Sequence, residues 1–147
     1  CIKAYKVAAG NGCPVSSSIG FDATVTSFFS PLLSGKKVLL LPENGEIEAL
    51  TDVLKSKNKF SLLKITPAHL EILDHLLPGK NLEGHTNALI IGGEALVGKY
   101  LNFWRKHAPS TRLINEYGPT ETVVGCCVYE VPPEKSLAGD IPIGRPI

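Results

Sequence analysis

Side chains of varied chemistry surround one predicted turn at residues 115–122, whose sequence is Asn-Glu-Tyr-Gly-Pro-Thr-Glu-Thr. Gly118 and Pro119 favour a turn, because glycine permits unusual backbone angles and proline fixes its own φ. An amide can read a base edge, a phenol ring can pack on a base, and a hydroxyl can reach a phosphate oxygen. A carboxylate can hold Mg²⁺ near such a phosphate. The pattern fits either an ordinary polar turn between two strands or a ligand site at a strand end.

Short apolar runs alternate with helical patterns in the sequence around this turn. Strands are predicted at 15–19, 37–41, 60–65, 88–91, 111–114 and 123–131, the last of them at a sheet edge. Helices are predicted at 21–33, around 47–54, from Thr66 to about 77, and at 96–107. The first helix should bury an apolar face made of Val25, Phe28, Phe29, Leu32 and Leu33. Because the strands are apolar without alternation, we expect a flavodoxin-like, doubly wound α/β layer with a mostly parallel sheet and helices on both faces.

Several polar or flexible residues fall at the predicted carboxyl ends of strands, where such sheets bind ligands. Asp22 is either a helix N-cap or a ligand contact. Lys64 interrupts a run that should be buried, so it either extends to water from an edge or faces a pocket opposite Glu116. Gly92 and Gly93 form either a tight turn or a place where a planar group approaches the backbone.

Composition limits the classes of function. The chain has 147 residues, 44% hydrophobic and 20% charged, which is enough for one domain with a core. A net charge of +1 gives no electrostatic case for nucleic acid or an anionic membrane as a partner. The cysteines have neither metal-ligand nor disulfide spacing, so they are predicted to be reduced packing residues of a cytoplasmic protein. All four histidines are interpreted as structural: His69, His75, His85 and His107. The chain has no methionine and starts at Cys1, so residues 1–147 are expected to be a single subdomain cut from a longer protein.

Residues 115–121 resemble the core motif of adenylate-forming enzymes, in the form typical of the adenylation domains of nonribosomal peptide synthetases. Residues 21–24, Phe-Asp-Ala-Thr, resemble the family segment whose aspartate holds the α-ammonium of the substrate. Residues 92–94, Gly-Gly-Glu, resemble its glycine-rich strand end beside the adenine, and residues 142–147 resemble the segment that closes this subdomain. The resemblance covers roughly residues 15–147.

The resemblance implies a set of site residues. Asn115 and Tyr117 would bind the adenine, Thr120 the α-phosphate and Glu121 Mg²⁺, with Gly92, Gly93 and Glu116 also at the nucleotide. The amino-acid pocket carried over consists of Asp22, Ala23, Thr26, Lys64, Ile90, Gly92, Glu116, Val124 and Gly125. This set is similar to the pocket of asparagine-activating domains, with Ala23 where leucine is more usual.

Asparagine also fits the chemistry of that pocket. Lys64 can donate to an amide carbonyl while Glu116 accepts from the NH₂ group. Aspartate would set its carboxylate against Glu116, and leucine would pair with neither side chain. Glutamine differs by one methylene, which a pocket discriminates by only about 1–3 kcal/mol.

The implied reaction joins an amino acid and ATP to give an aminoacyl adenylate and pyrophosphate, with Mg²⁺, and hands the product to phosphopantetheine on a peptidyl carrier protein. The family's phosphate loop, ribose-binding aspartate and C-terminal-lobe lysine are not in the chain. We therefore expect no catalytic residue here, dependence on the remainder of the adenylation domain, and negligible activity of the chain alone. Two alternatives stay open: a piece of an acyl- or aryl-CoA ligase, against which Asp22 argues, and a non-catalytic flavodoxin-like binding module.

Overall fold

The computed structural model describes residues 1–134 and 138–147. In these ranges the strands are β1 (Gly12–Val15), β2 (Lys37–Leu40), β3 (Leu63–Ile65), β4 (Ala88–Ile91), β5 (Arg112–Tyr117), β6 (Cys127–Glu130) and β7 (Arg145–Pro146). The α-helices are α1 (Ile2–Tyr5), α2 (Ala23–Leu33), α3 (Glu46–Leu54), α4 (Pro67–Leu76) and α5 (Asn102–His107). Short 3₁₀ turns occur at Val7–Ala9 and Gly98–Leu101.

The strands form two sheets. The larger sheet has the order β3-β4-β5-β6-β7, in which β3, β4 and β5 are parallel and β6 and β7 are antiparallel to their neighbours. The smaller sheet pairs β1 with β2 in parallel. The predicted α/β fold with a parallel sheet is therefore confirmed.

The two faces of the larger sheet are packed differently. Leu63, Leu89 and Leu113 are cross-strand neighbours, and they belong to the large apolar cluster that also contains leucines of α3 and α4. We call this side the helical face. Side chains alternate along a strand, so Ile90 and Ile114 point to the other side, where they pack with residues of α1, the first 3₁₀ turn and β1. We call that side the N-terminal face.

Helix α4 begins as the sequence predicts. The hydroxyl of Thr66 accepts a hydrogen bond from the backbone N–H of His69 at 3.4 Å, and the ring of His69 accepts one from the backbone N–H of Thr66 at 3.2 Å. Pro67 occupies the first turn, where its missing N–H costs nothing. Leu70 and Leu73 are fully buried, and burying each contributes about 2 kcal/mol.

Four predicted strands have wrong boundaries. The strand predicted at 15–19 lies at Gly12–Val15, and the one predicted at 60–65 forms only at Leu63–Ile65. Strand β5 runs on to Tyr117, because its last residues pair with β6, so three residues of the 115–122 motif lie in a strand. The predicted strand at 123–131 forms only from Cys127, because the N–H groups of Thr122 and Val123 both bond to the carbonyl of Pro119 in a turn. It is also not an edge strand, since β6 lies between β5 and β7.

Helix α2 forms as predicted but buries the opposite face. Its buried residues are small or polar and include Thr24, Thr26, Ser27 and Ser30. The predicted apolar face is largely exposed, with Phe29 at 53% and Leu33 at 75%. The small side chains face the smaller sheet, against which α2 packs. Leu39 and Leu40 of neighbouring β2 are exposed too, although the sheet was expected to be covered on both faces.

Other expectations concern the start of the predicted helix at 96–107, the state of the cysteines and membrane insertion. That helix is a 3₁₀ turn followed by the shorter α5. All four cysteines, which lie in the described part of the chain, are free thiols. Among residues 1–134 and 138–147, no helix combines the length and apolar character needed to cross a membrane.

Candidate functional site

A cavity of about 520 Å³ opens where the carboxyl ends of β3, β4 and β5 face the start of α2. This is the edge at which parallel sheets bind ligands. Eight of the predicted site residues line it: Asp22, Ala23, Lys64, Gly92, Gly93, Glu116, Thr120 and Val124.

Lys64 and Glu116 form an ion pair in this cavity, and strand register explains why. Lys64 is beside Ile90, which is beside Ile114, so all three side chains are on the N-terminal face. Glu116 lies two residues beyond Ile114 and therefore points to the same face. The two charged side chains are only 7% and 2% exposed, which rules out a lysine that extends to water from the edge. Lys64 Nζ also lies 3.4 Å from the hydroxyl of Thr26 on α2.

Two glycines leave room for the side chain and backbone of Glu116. A Cβ on Gly125 would overlap the carboxylate of Glu116, and one on Gly92 would lie 2.8 Å from its backbone oxygen. Any larger residue at either position would displace Glu116. These two predicted pocket residues therefore allow Glu116 to hold its observed position.

Two further polar groups, the phenol of Tyr5 and the thiol of Cys13, are buried near the ion pair on the N-terminal face. The phenol of Tyr5 in α1 donates a hydrogen bond to Oε1 of Glu116. Burial and the negative charge of Glu116 raise the pKa of Tyr5, so the phenol stays protonated. Burial also raises the pKa of the Cys13 thiol to about 12, although Ser27 and the charge of Lys64 act in the opposite direction.

Asp22 is joined to the 115–122 motif. Its Oδ2 accepts a hydrogen bond from the hydroxyl of Thr120 at 2.8 Å. Asp22 holds the N-cap position of α2, but within the described chain its side chain makes no capping hydrogen bond. The helix-cap interpretation of Asp22 is therefore not the one that the structure supports.

A second cavity of about 430 Å³ lies on the other side of the strand ends and is lined by Gly93, Asn115, Glu116 and Tyr117, among others. Asn115 is buried, and its Nδ2 donates to the backbone oxygens of Ile141 at 3.2 Å and Pro142 at 2.9 Å. Tyr117 is 46% exposed, so its ring is open to a ligand. The two cavities share Gly93, Glu116 and Gly118, so they adjoin at the strand ends.

Four predicted site residues line neither cavity. Thr26 lies beside Lys64, and Gly125 lies against the carboxylate of Glu116. Ile90 is buried in the cluster on the N-terminal face, and Glu121 is exposed in the turn. Among the described residues, no three His, Cys, Asp or Glu side chains cluster as metal ligands.

Sequence reasoning missed three residues at or beneath the first cavity. His69 and Glu46 line it, with Nε2 of His69 3.7 Å from Oε1 of Glu46, although His69 also keeps its structural role at the start of α4. Tyr5 was not singled out, because it contacts Glu116 across 111 residues of sequence and no local pattern marks such a contact.

Comparison with known proteins gives the family. Residues 6–147 match the family model described as AMP-binding enzyme. The chain belongs to the AMP-binding enzyme family. Tyrocidine synthase 3 of Brevibacillus parabrevis is 40% identical over 134 residues, which are 90% of this chain and 2% of that protein. Nonribosomal peptide synthetase agiA of Aspergillus flavus is 33% identical over 147 residues, covering 97% of this chain and 2% of the relative. The resemblance to adenylation domains of nonribosomal peptide synthetases is thereby confirmed.

Solved structures of this family share the fold. The Vibrio cholerae adenylation domain AlmE, solved with glycyl-adenosine-5'-phosphate, superposes with a TM-score of 0.84 at 22% identity, over 99% of this chain and 27% of that one. PA1221, described as a nonribosomal peptide synthetase protein containing adenylation and PCP domains, gives a TM-score of 0.76 at 24% identity, over 97% of this chain and 28% of that one. The chain therefore spans about a quarter of these neighbours and a few hundredths of the curated relatives.

Proposed function

We propose that this chain is the subdomain of an adenylation domain that binds the amino-acid side chain and part of ATP, and that the complete domain activates an amide-bearing amino acid, asparagine, as its adenylate. The observation that carries the proposal is the buried Lys64–Glu116 pair at the bottom of a cavity that Asp22 and the 115–122 motif also line. Buried charges are rare unless they are paired, and a pair at a ligand cavity is a functional-site candidate.

The pair complements a primary amide. Lys64 offers N–H donors to a carbonyl oxygen, and Glu116 offers acceptor sites to an NH₂ group. A carboxylate in place of the amide would repel Glu116, and an apolar side chain would leave both charges without a substrate contact. Asp22 would pair with the α-ammonium group of the same substrate. Ala23, Thr26, Ile90, Gly92, Val124 and Gly125 complete the pocket by shape and by holding the two charged side chains.

The adjoining cavity suits the nucleotide. Asn115 and Tyr117 would hold the adenine beside Gly92, Gly93 and Glu116, and the hydroxyl of Thr120 would contact the α-phosphate. Mg²⁺ commonly takes one or two carboxylates together with substrate phosphates. Glu121, with its exposed carboxylate in the same turn, has the chemistry for that role.

The reaction needs positioning more than side-chain chemistry from this chain. The amino-acid carboxylate attacks the α-phosphate of ATP, and pyrophosphate leaves as the acyl–phosphate bond forms. Asp22 and the Lys64–Glu116 pair would fix the two ends of the amino acid, so that its carboxylate faces the nucleotide side. The rest of the adenylation domain would supply the remaining phosphate contacts. A phosphopantetheine thiol on a carrier protein would then accept the aminoacyl group, and the PCP domain of the neighbour PA1221 supports such a partner.

Amino-acid-dependent ATP–pyrophosphate exchange by the complete adenylation domain that contains this chain tests the proposal. Strong exchange with asparagine, lost in Lys64→Leu and kept in the matched surface variant Lys80→Leu, is expected. Exchange with an apolar or acidic amino acid instead would remove the amide assignment. Exchange with acyl or aryl acids alone would replace the amino-acid proposal, and exchange by residues 1–147 alone would contradict the subdomain proposal.

A further inference from the structure

We propose that Tyr5 is a specificity-determining positioning residue: its phenol holds Glu116 in the orientation that faces the cavity, and so decides which amino-acid side chains are accepted. The inference rests on the proposed function of the cavity. It concerns a residue in α1, outside both cavities and remote in sequence from the pocket set.

Hydrogen-bond capacity shows what Tyr5 contributes. A carboxylate has about four acceptor sites, and an ammonium group has three donors. Oε1 of Glu116 takes the Tyr5 hydroxyl, while Oε2 takes Lys64. Lys64 gives a second N–H to Thr26, which leaves one donor for a ligand. With both carboxylate oxygens already fixed, the pocket presents one donor and the remaining carboxylate sites, which is the complement of an amide.

Removal of the phenol changes this arrangement. Oε1 would lose the hydrogen bond that Tyr5 donates, and little water would replace it, since the Glu116 side chain is 2% exposed. Lys64, already beside Glu116, has one N–H left to offer. Rotation of Glu116 would bring Oε1 to that N–H and take it away from the substrate carbonyl. The expected result is weaker discrimination between amino-acid substrates without a change in the fold.

Helix α1 is held tightly enough to set this geometry. Tyr5 is 1% exposed. The guanidinium of Arg112 on β5 donates to the backbone oxygens of Ala4 at 3.1 Å and Tyr5 at 3.3 Å, and it is itself held by Glu130. The position of the phenol is thus tied to the strand that carries Glu116 itself.

Tyr5→Phe in the complete adenylation domain is the test, since it removes only the hydroxyl. Tyr100→Phe is the matched control, because Tyr100 packs against the cluster on the helical face. Steady-state pyrophosphate exchange is measured for asparagine, aspartate, glutamine and leucine, with KM determined separately for the amino acid and for ATP. Thermal unfolding is recorded for each protein.

The proposal expects Tyr5→Phe to lower the kcat/KM ratio of asparagine over leucine by about tenfold, the effect of losing one hydrogen bond to a charged group. KM for asparagine should rise while KM for ATP stays within about twofold, and Tyr100→Phe should change neither. An unchanged ratio, or an equal loss for every amino acid, would overturn the role of Tyr5 and leave the proposed function standing. If the wild type prefers another amino acid, the amide assignment fails and the ratio of that substrate to the next best decides about Tyr5. A wild type that activates no amino acid would overturn both.

Discussion

The substitution Lys64→Met addresses the buried ion pair directly. It keeps an unbranched side chain of similar length and removes the charge opposite Glu116. Since the two side chains are 7% and 2% exposed, little water reaches the carboxylate to replace the ammonium, and Tyr5 remains as a hydrogen-bond donor to it. Leaving one member of a buried pair alone costs about 3–5 kcal/mol. In a chain of this length that loss lowers Tm by about 6–20 °C.

Urea unfolding, followed by the fluorescence of buried Trp104, measures that loss, because this is the one tryptophan of the sequence. Lys80→Met is the control for an exposed lysine and should stay within about 0.5 kcal/mol of the wild type. The double variant Lys64→Met with Glu116→Gln removes both charges and should recover most of the loss, since no charge is left buried without a partner. A Lys64→Met single variant within about 1 kcal/mol of the wild type would refute the buried pair.

Three further predictions concern other parts of the chain. At about pH 8, iodoacetamide should modify exposed Cys1 and spare Cys13, whose pKa of about 12 keeps it a thiol, until the chain is unfolded; equal labelling by peptide mass spectrometry would contradict this. Arg112 lowers the pKa of Glu130, so Glu130→Gln should cost stability at neutral pH and nothing once falling pH has protonated the carboxylate. This partly exposed pair contributes below about 1 kcal/mol, and a difference in unfolding free energy that is constant with pH would argue against it. Leu33→Lys, at a side chain 75% exposed, should leave the free energy of urea unfolding within about 0.5 kcal/mol of the wild type, whereas a loss above about 1 kcal/mol would mean that Leu33 is packed after all.

Local signals in the sequence were sufficient for part of the structure. The start of α4 could be predicted, because Thr66 and Pro67 satisfy helix-start chemistry within one turn. Lys64 stood out as a charge in an apolar strand, and the period of two along β5 puts Glu116 on the same face. These features depend on short-range geometry, which is why they were predictable.

Features that depend on distant neighbours were not predictable. The apolar stripe of α2 indicated a buried face, yet Thr26 and Ser27 are buried while Phe29 is exposed, because the partners of the helix decide which face packs. The start of the predicted last strand was wrong, because the N–H groups of Thr122 and Val123 bond to the carbonyl of Pro119 in a turn. The contact of Tyr5 with Glu116 joins two ends of the chain that share no sequence pattern.

The division of the larger sheet into two unlike faces has a consequence for how such a site can change. The side chains of Leu63, Leu89 and Leu113 all point to the helical face, away from the cavity. Lys64 and Glu116 lie at alternate positions of their strands and point to the N-terminal face. Replacement of the charged pair therefore removes no side chain from the larger apolar cluster. New selectivity can evolve, or be engineered, on alternate residues of β3 and β5 while the intervening residues keep the fold intact.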